Sequence, residues 1–252
     1  MSTTVGREAE LATALAALKA RLAGAAESAG RDVGDIELLP ITKFFPATDV
    51  AILWRLGCRS FGESREQEAS AKIAEFDRLA DVPAAAPPAR WHMVGQIQRN
   101  KAKAIAAWAD TVHSLSTAKV IAALDRAVAQ AMAEGRRVNP VRVFVQISLD
   151  GDTDRGGVDI GDPAGVDAIC GQVADAEGLD LVGLMAIPPL GADPDEAFAA
   201  LAVEHRRVLT NHPGATQLSA GMSGDLEAAV RHGSTCVRVG TALMGQRPLT
   251  SP

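Results

Sequence analysis

One lysine stands where reactive chemistry is possible. Lys43 ends the apolar run of "ELLPITKFFP", residues 37–46, with Phe44, Phe45 and Pro46 directly behind it. Two readings of such a lysine exist. Its stem can lie along apolar surface while the ammonium reaches water. Alternatively, a partly desolvated amine loses its proton more readily and can condense with an aldehyde to a Schiff base. Two later stretches bear on the choice. "LSAGMSGD", residues 218–225, carries Ser219, Gly221, Met222 and Ser223, and "VRVGTALMGQR", residues 237–247, carries Gly240 and Thr241. Glycines and hydroxyls between a strand and a helix expose backbone N–H groups suited to an anion. They also serve ordinary turns.

Arg238 adds a third feature. Val237 and Val239 alternate with Arg238 and Gly240. With the valines packed outward, the arginine points inward and needs a partner. That partner is either an acid such as Glu63 or the ring nitrogen of a cofactor. A guanidinium stays charged, so a ring nitrogen facing it stays unprotonated and the ring is a poor electron sink. An amine, an anion cradle and an arginine for a ring nitrogen together suit an aldehyde tethered by a phosphate, which describes pyridoxal 5'-phosphate (PLP).

The elements that must position these groups follow from periodicity. Short apolar, β-rich runs at residues 38–43, 58–62, 91–94, 111–115, 141–148, 180–187, 217–219 and 235–240 alternate with helical patterns at 47–56, 64–78, 100–107, 117–134, 163–176, 194–210 and 225–231. Such alternation predicts a parallel sheet with helical crossovers, here an α/β fold of the (β/α)8 barrel type, TIM-like. The residues before the first run form an additional amphipathic N-terminal helix, and no second β domain is expected. Residues 1–252 are read as a single barrel domain, with a doubly wound open sheet as the alternative. Pro163 and Pro194 suit the first turns of helices, and Ser64 with Gln67 fits a capping box. The proline-rich segment 81–90 reads as a connector into the third strand. In a barrel the reactive groups gather at the C-terminal ends of the strands, where the last two loops commonly take a phosphate.

Composition narrows the function classes. Apolar residues form 47% of the chain and charged residues 22%, the profile of a soluble globular protein. A net charge of −6 without a basic run speaks against nucleic acid and anionic membranes. No uncharged apolar stretch reaches the roughly 18 residues that would span a bilayer, so no membrane is expected. Cys58, Cys170 and Cys236 are odd in number and far apart, which fits a reducing, cytoplasmic setting rather than disulfides or zinc. "DGDTDRGG", residues 150–157, has the first acids of a calcium loop, but Arg155 replaces the required glycine. His92 reads as a hydrogen-bonded core histidine. Arg99, Lys101 and Lys103 read as a solvated helix start.

The blocks "ITKFFP", "RSFGES", "HMVGQIQRNK", "GLMAIP", "LSAGMSGD" and "VRVGTALMGQR" occur in the order and at about the spacing of the PLP homeostasis proteins, a family that this chain resembles from Leu38 to Arg247. Their fold is similar to the N-terminal barrel domain of alanine racemase. The resemblance implies PLP held as a Schiff base on Lys43, phosphate contacts from Ser219, Gly221, Met222, Ser223, Gly240 and Thr241, and Arg238 facing the pyridine nitrogen. It also implies a protein of PLP (vitamin B6) homeostasis without a robust catalytic activity, with PLP-dependent apoenzymes as possible recipients. Three positions depart from the family pattern: Ser64, where asparagine is usual, Ala220, where methionine is usual, and Phe45, where a second lysine often stands. A racemase-like PLP enzyme is one alternative. It needs a second acid or base, which in racemases is a tyrosine from a β-rich domain, and the sequence contains no tyrosine. A Schiff-base aldolase is another. A monomer is expected.

Overall fold

The computed structural model of the chain describes residues 2–80 and 88–246. Its centre is a parallel barrel of β1 (Glu37–Pro40), β2 (Ser60–Glu63), β3 (Arg90–Met93), β4 (Thr111–Leu115), β5 (Val141–Ser148), β7 (Leu179–Ala186), β8 (Gln217–Ser219) and β9 (Cys236–Val239), with the short β6 (Val158–Asp159) paired to the edge of β5. The ladder runs β1-β9-β8-β7-β5-β4-β3-β2. Its two ends meet at one parallel bridge between Ile41 and Gly62, where the Thr42 N–H donates to the Gly62 carbonyl at 2.9 Å. A β-carbon on Gly62 would stand 2.5 Å from Ile41 Cδ1, so a residue without a side chain lets this seam come together.

The strands read as continuous apolar runs because both faces are covered, one by the barrel interior and one by helices. All five residues of β4 are buried. Around the barrel lie α2 (Ala47–Arg55), α3 (Glu66–Leu79), α4 (Ala102–Trp108), α5 (Ala118–Ala133), α6 (Pro163–Ala174), α7 (Pro194–Asn211), α8 (Leu226–Arg231) and the single turn α9 (Thr241–Met244). The additional helix α1 (Ser2–Ser28) turns Leu11, Leu15, Leu18 and Leu22, spaced for one helical face, into the core. There Leu11 and Leu15 join Val50 and Val239, and Leu22 joins Val237, Leu226 and Val230. Among the described residues no helix is long and apolar enough to cross a membrane.

The fold expected from the sequence is the fold observed, and most element boundaries agree within two residues. The differences have local causes. The first strand stops at Pro40 rather than Lys43, because the chain changes partner there: the Ile41 N–H still donates to β9 at Val239, whereas Thr42 turns to β2. Lys43 therefore sits in a turn beyond the strand. Ser64 caps nothing, since Arg65 stays extended and α3 starts at Glu66 without a side-chain cap. Pro163 and Pro194 do begin α6 and α7, behind Asp162 and Asp193 caps. The strand β6, unforeseen, follows the acidic loop 150–157, in which Arg155 bridges Asp150 and Asp152. Most of the proline-rich connector, residues 81–87, and Arg247 lie outside the described residues.

Candidate functional site

The C-terminal mouth of the barrel gathers the groups singled out by sequence. Lys43 is exposed in the turn after β1. Its Nζ lies 5.9 Å from the centroid of the Phe44 ring, and the Arg65 guanidinium lies 5.4 Å from the same centroid. Phe44 has φ of 70°, the one non-glycine residue among those described in the left-handed region. A bulky side chain avoids that region unless its surroundings impose it.

A cluster of buried charges lies directly underneath. Lys72, on α3, is 6% exposed, and Glu63, at the end of β2, is fully buried. Lys72 Nζ donates to the Thr42 carbonyl at 2.7 Å, to Glu63 Oε1 at 2.7 Å and to Glu68 Oε1 at 3.2 Å. These three bonds use every proton of the ammonium. The Thr42 hydroxyl donates to Glu63 Oε1 at 2.6 Å, and the Phe44 N–H donates to Glu68 Oε1. Burial pushes the Glu63 carboxyl up, while Lys72 and the Thr42 hydroxyl pull it down. Beside this cluster a cavity of about 910 Å3 opens between the first three βα loops, lined among others by Phe44, Ser64, Arg65, Lys72, Gln96 and Lys101.

The glycine-bearing loops after β8 and β9 come together at the next part of the mouth. Arg238 N–H donates to the Gly221 carbonyl at 2.9 Å, and the Ala242 N–H donates to Ser223 Oγ at 3.4 Å. Gly221 has φ of 90°, and a β-carbon there would stand 2.5 Å from that of Ala229, so no other residue fits without displacement. Met222 and Thr241 are exposed, and Ser223 and Gly240 half-buried. Among the described residues the backbone N–H groups of Ser223, Gly224, Gly240 and Thr241 donate to no protein acceptor. Uncommitted donors in a glycine-rich pair of loops are what an oxyanion requires.

Ser219 is placed differently from its loop companions. It is fully buried, and its hydroxyl accepts from Arg238 Nη1 and meets His113 Nδ1 at 2.8 Å. His113 Nε2 is 2.9 Å from His92 Nδ1, so four side chains from β9, β8, β4 and β3 form one chain across the barrel interior. Arg238 points inward as the valine alternation required, is 5% exposed, and also donates from Nη2 to the Ala186 carbonyl at 3.0 Å. Its partners are thus a hydroxyl and a carbonyl. Glu63, the acid offered as an alternative partner, binds Lys72 and Thr42 instead. Burial lowers His92 to about 4 and takes His113 well below its ordinary value, so both are neutral at pH 7. His113 stacks on Phe144 with centroids 4.5 Å apart. Cys236, behind Arg238, is pushed up to about 12 by burial and stays a thiol. Among the described residues no group of three or more His, Cys, Asp or Glu side chains could hold a metal.

Sequence reasoning missed Lys72, Glu68 and His113. Lys72 and Glu68 look like an ordinary i,i+4 surface pair, and only the strand register makes His113 a neighbour of His92 and Ser219.

The family described as alanine racemase, N-terminal domain, matches residues 14–248. The pyridoxal phosphate homeostasis protein of Mycobacterium tuberculosis is 65% identical over 248 residues, which cover 98% of this chain and 96% of the relative. PipY of Synechococcus elongatus, solved with PLP bound, is similar with a TM-score of 0.76 and 30% identity over 93% of this chain and 100% of PipY. The alanine racemase of Bartonella henselae shares the fold alone, with a TM-score of 0.61 and 16% identity over 94% of this chain and 61% of the racemase. By the length and identity of these matches, the chain belongs to the pyridoxal phosphate homeostasis protein family, built on the alanine racemase N-terminal barrel.

Proposed function

We propose that this protein binds and holds PLP for homeostasis of the cofactor, with Lys43 as the attaching amine. The observation that carries the reading is the arrangement of the mouth. Lys43 stands at one part of the rim, and the loops after β8 and β9 offer uncommitted N–H donors at another. Ser223, Gly240 and Thr241, on the frame set by Gly221 and Met222, take the phosphate. Arg238 presents its guanidinium to the pyridine nitrogen while Ser219 and Ala186 hold it in place. Ser219, assigned by resemblance to the phosphate, acts here through Arg238. When bound, PLP supplies an aldehyde that condenses with a primary amine with loss of water. The 30% identity to PipY, whose structure contains PLP, and the naming of the mycobacterial relative support the same cofactor here.

We read the role as carriage rather than turnover. Carbanion chemistry needs a second acid or base beside the amine. The sequence holds no tyrosine, and His92 and His113 are buried and bonded to each other below the mouth. A charged guanidinium at the ring nitrogen also opposes protonation there. PLP-dependent apoenzymes are the recipients this reading implies.

Purified protein tests it. The protein should be yellow, with a band near roughly 420 nm that is lost in Lys43→Ala. A colourless protein that takes up no added PLP overturns the proposal. Fast exchange of the α-hydrogen of alanine in heavy water would instead make it an enzyme.

A further inference from the structure

Lys43 belongs to a turn whose shape is dictated from below. Besides the backbone bonds of Thr42 to Gly62 and to Phe45, three hydrogen bonds of residues 42–44 end on charged side chains. Lys72 binds the Thr42 carbonyl, Glu63 accepts from the Thr42 hydroxyl, and Glu68 accepts from the Phe44 N–H. These three are joined to each other through Lys72 Nζ. Phe44, next to the amine, takes φ of 70°, a conformation that a phenylalanine adopts only when held. Released, the peptide between Lys43 and Phe44 would return toward ordinary backbone angles, and the Cα–Cβ direction of Lys43 would turn with it.

Resting on the PLP reading above, we propose that Lys72 and Glu68 are positioning residues that lock the turn after β1 and so aim the Lys43 amine over the barrel mouth. Among the described residues no hydrogen bond or ion pair joins Lys72, Glu63 or Glu68 to the loops after β8 and β9, proposed above for the phosphate. The effect of the cluster therefore falls on attachment at the aldehyde and not on anion binding. Attachment joins Lys43 Nζ to the aldehyde carbon and releases the carbonyl oxygen as water, with no change of oxidation state. Such a step depends steeply on where the amine is held. Glu68 is the accessible lever, because its side chain is 27% exposed at the first turn of α3 whereas Glu63 and Lys72 are buried.

The test separates attachment from phosphate binding in the full-length protein. Stopped-flow growth of the band near roughly 420 nm reports attachment of PLP, and tryptophan fluorescence reports binding of pyridoxine 5'-phosphate, which lacks the aldehyde. Glu68→Ala should slow attachment about tenfold and leave pyridoxine 5'-phosphate affinity within about twofold of wild type. Glu68→Gln, which keeps an oxygen for the Phe44 N–H, should restore most of the rate. The double variant Lys72→Met/Glu63→Gln, which leaves no buried charge unpaired, should behave like Glu68→Ala. Unchanged attachment in Glu68→Ala overturns the inference while the PLP reading stands. Loss of pyridoxine 5'-phosphate binding in the same variant also overturns it, because the cluster would then act on the whole mouth. A wild-type protein with no band overturns the PLP reading and this inference together.

Discussion

Arg21, on the additional helix, donates from Nη1 to the backbone carbonyl of Ser223 at 2.7 Å, and its Nη2 pairs with Glu227 Oε2 at 2.6 Å. A helix outside the barrel repeat thus reaches into the loop proposed for the phosphate. Ser223 becomes a node, with its carbonyl fixed by α1 and its hydroxyl accepting from Ala242 of the neighbouring loop. Arg7 does the same at the turn after β9, donating to the Met244 carbonyl at 2.9 Å and to Asp49 of α2 at 2.7 Å. The helix carries both contacts because its leucines fix its rotation on the barrel, leaving the arginines on the edges of the apolar face.

Arg21→Ala should weaken PLP binding by roughly three- to tenfold, the scale of one lost charge-assisted hydrogen bond. Stability should fall by less than about 1 kcal/mol, because the Arg21–Glu227 pair is largely solvated. Equilibrium titration of the apoprotein, followed by absorbance, measures the first, and urea unfolding the second. An affinity equal to wild type would show that the loop holds its shape without α1.

Gly221 makes a sharper prediction. Its φ of 90° and the 2.5 Å approach to Ala229 exclude any side chain. Gly221→Ala should cost about 2–3 kcal/mol from backbone strain and overpacking together. For a chain of this size that lowers Tm by about 4–10 °C, measurable by calorimetry of the apoprotein. Phosphate affinity should fall as well, since the Gly221 carbonyl anchors the loop to the Arg238 N–H.

The barrel was legible because its strands are buried on both faces and so appear as unbroken apolar runs punctuated by helix starts such as Pro163 and Pro194. Arg238 was legible for the opposite reason: between two valines, a charge breaks the run and must point inward. The support beneath Lys43 was hidden. Glu68 and Lys72 stand four apart on a charged helix, where the same pattern ordinarily marks a solvated face. Nothing local distinguishes them, because the burial of Lys72 and the bond of Glu68 to the Phe44 N–H follow from β2 delivering Glu63 and from the turn at Thr42. The relay of His92, His113 and Ser219 was hidden likewise, since it joins three strands whose register only the closed sheet defines.

The buried histidines predict a particular acid response. In the folded protein His92 titrates at about 4, with burial as the leading cause and Arg90 and Arg142 adding to it, against an ordinary value of 6.5 in the unfolded chain. His113, which also faces His92 and Arg238, is lowered in the same direction, and His205 is lowered by its own burial. Below pH 6.5 the unfolded chain therefore takes up protons that the native barrel refuses. Stability should be flat between about pH 7 and 8 and should fall as the pH drops from 6.5 toward 4. His92 alone accounts for a loss on the order of 2 kcal/mol between pH 6.5 and 5. Carboxylates held low, such as Asp195 and Glu227, contribute only below their ordinary values of 3.8 and 4.5, whereas Glu63 and Asp110, raised by burial, take up protons in the native barrel and oppose the fall that the histidines cause. Urea midpoints at pH 7 and pH 5 measure the fall, and His92→Gln should make it shallower. A midpoint that is the same at both values would mean that His92 and His113 carry charge in the native barrel, and the neutral chain behind Arg238 would be wrong.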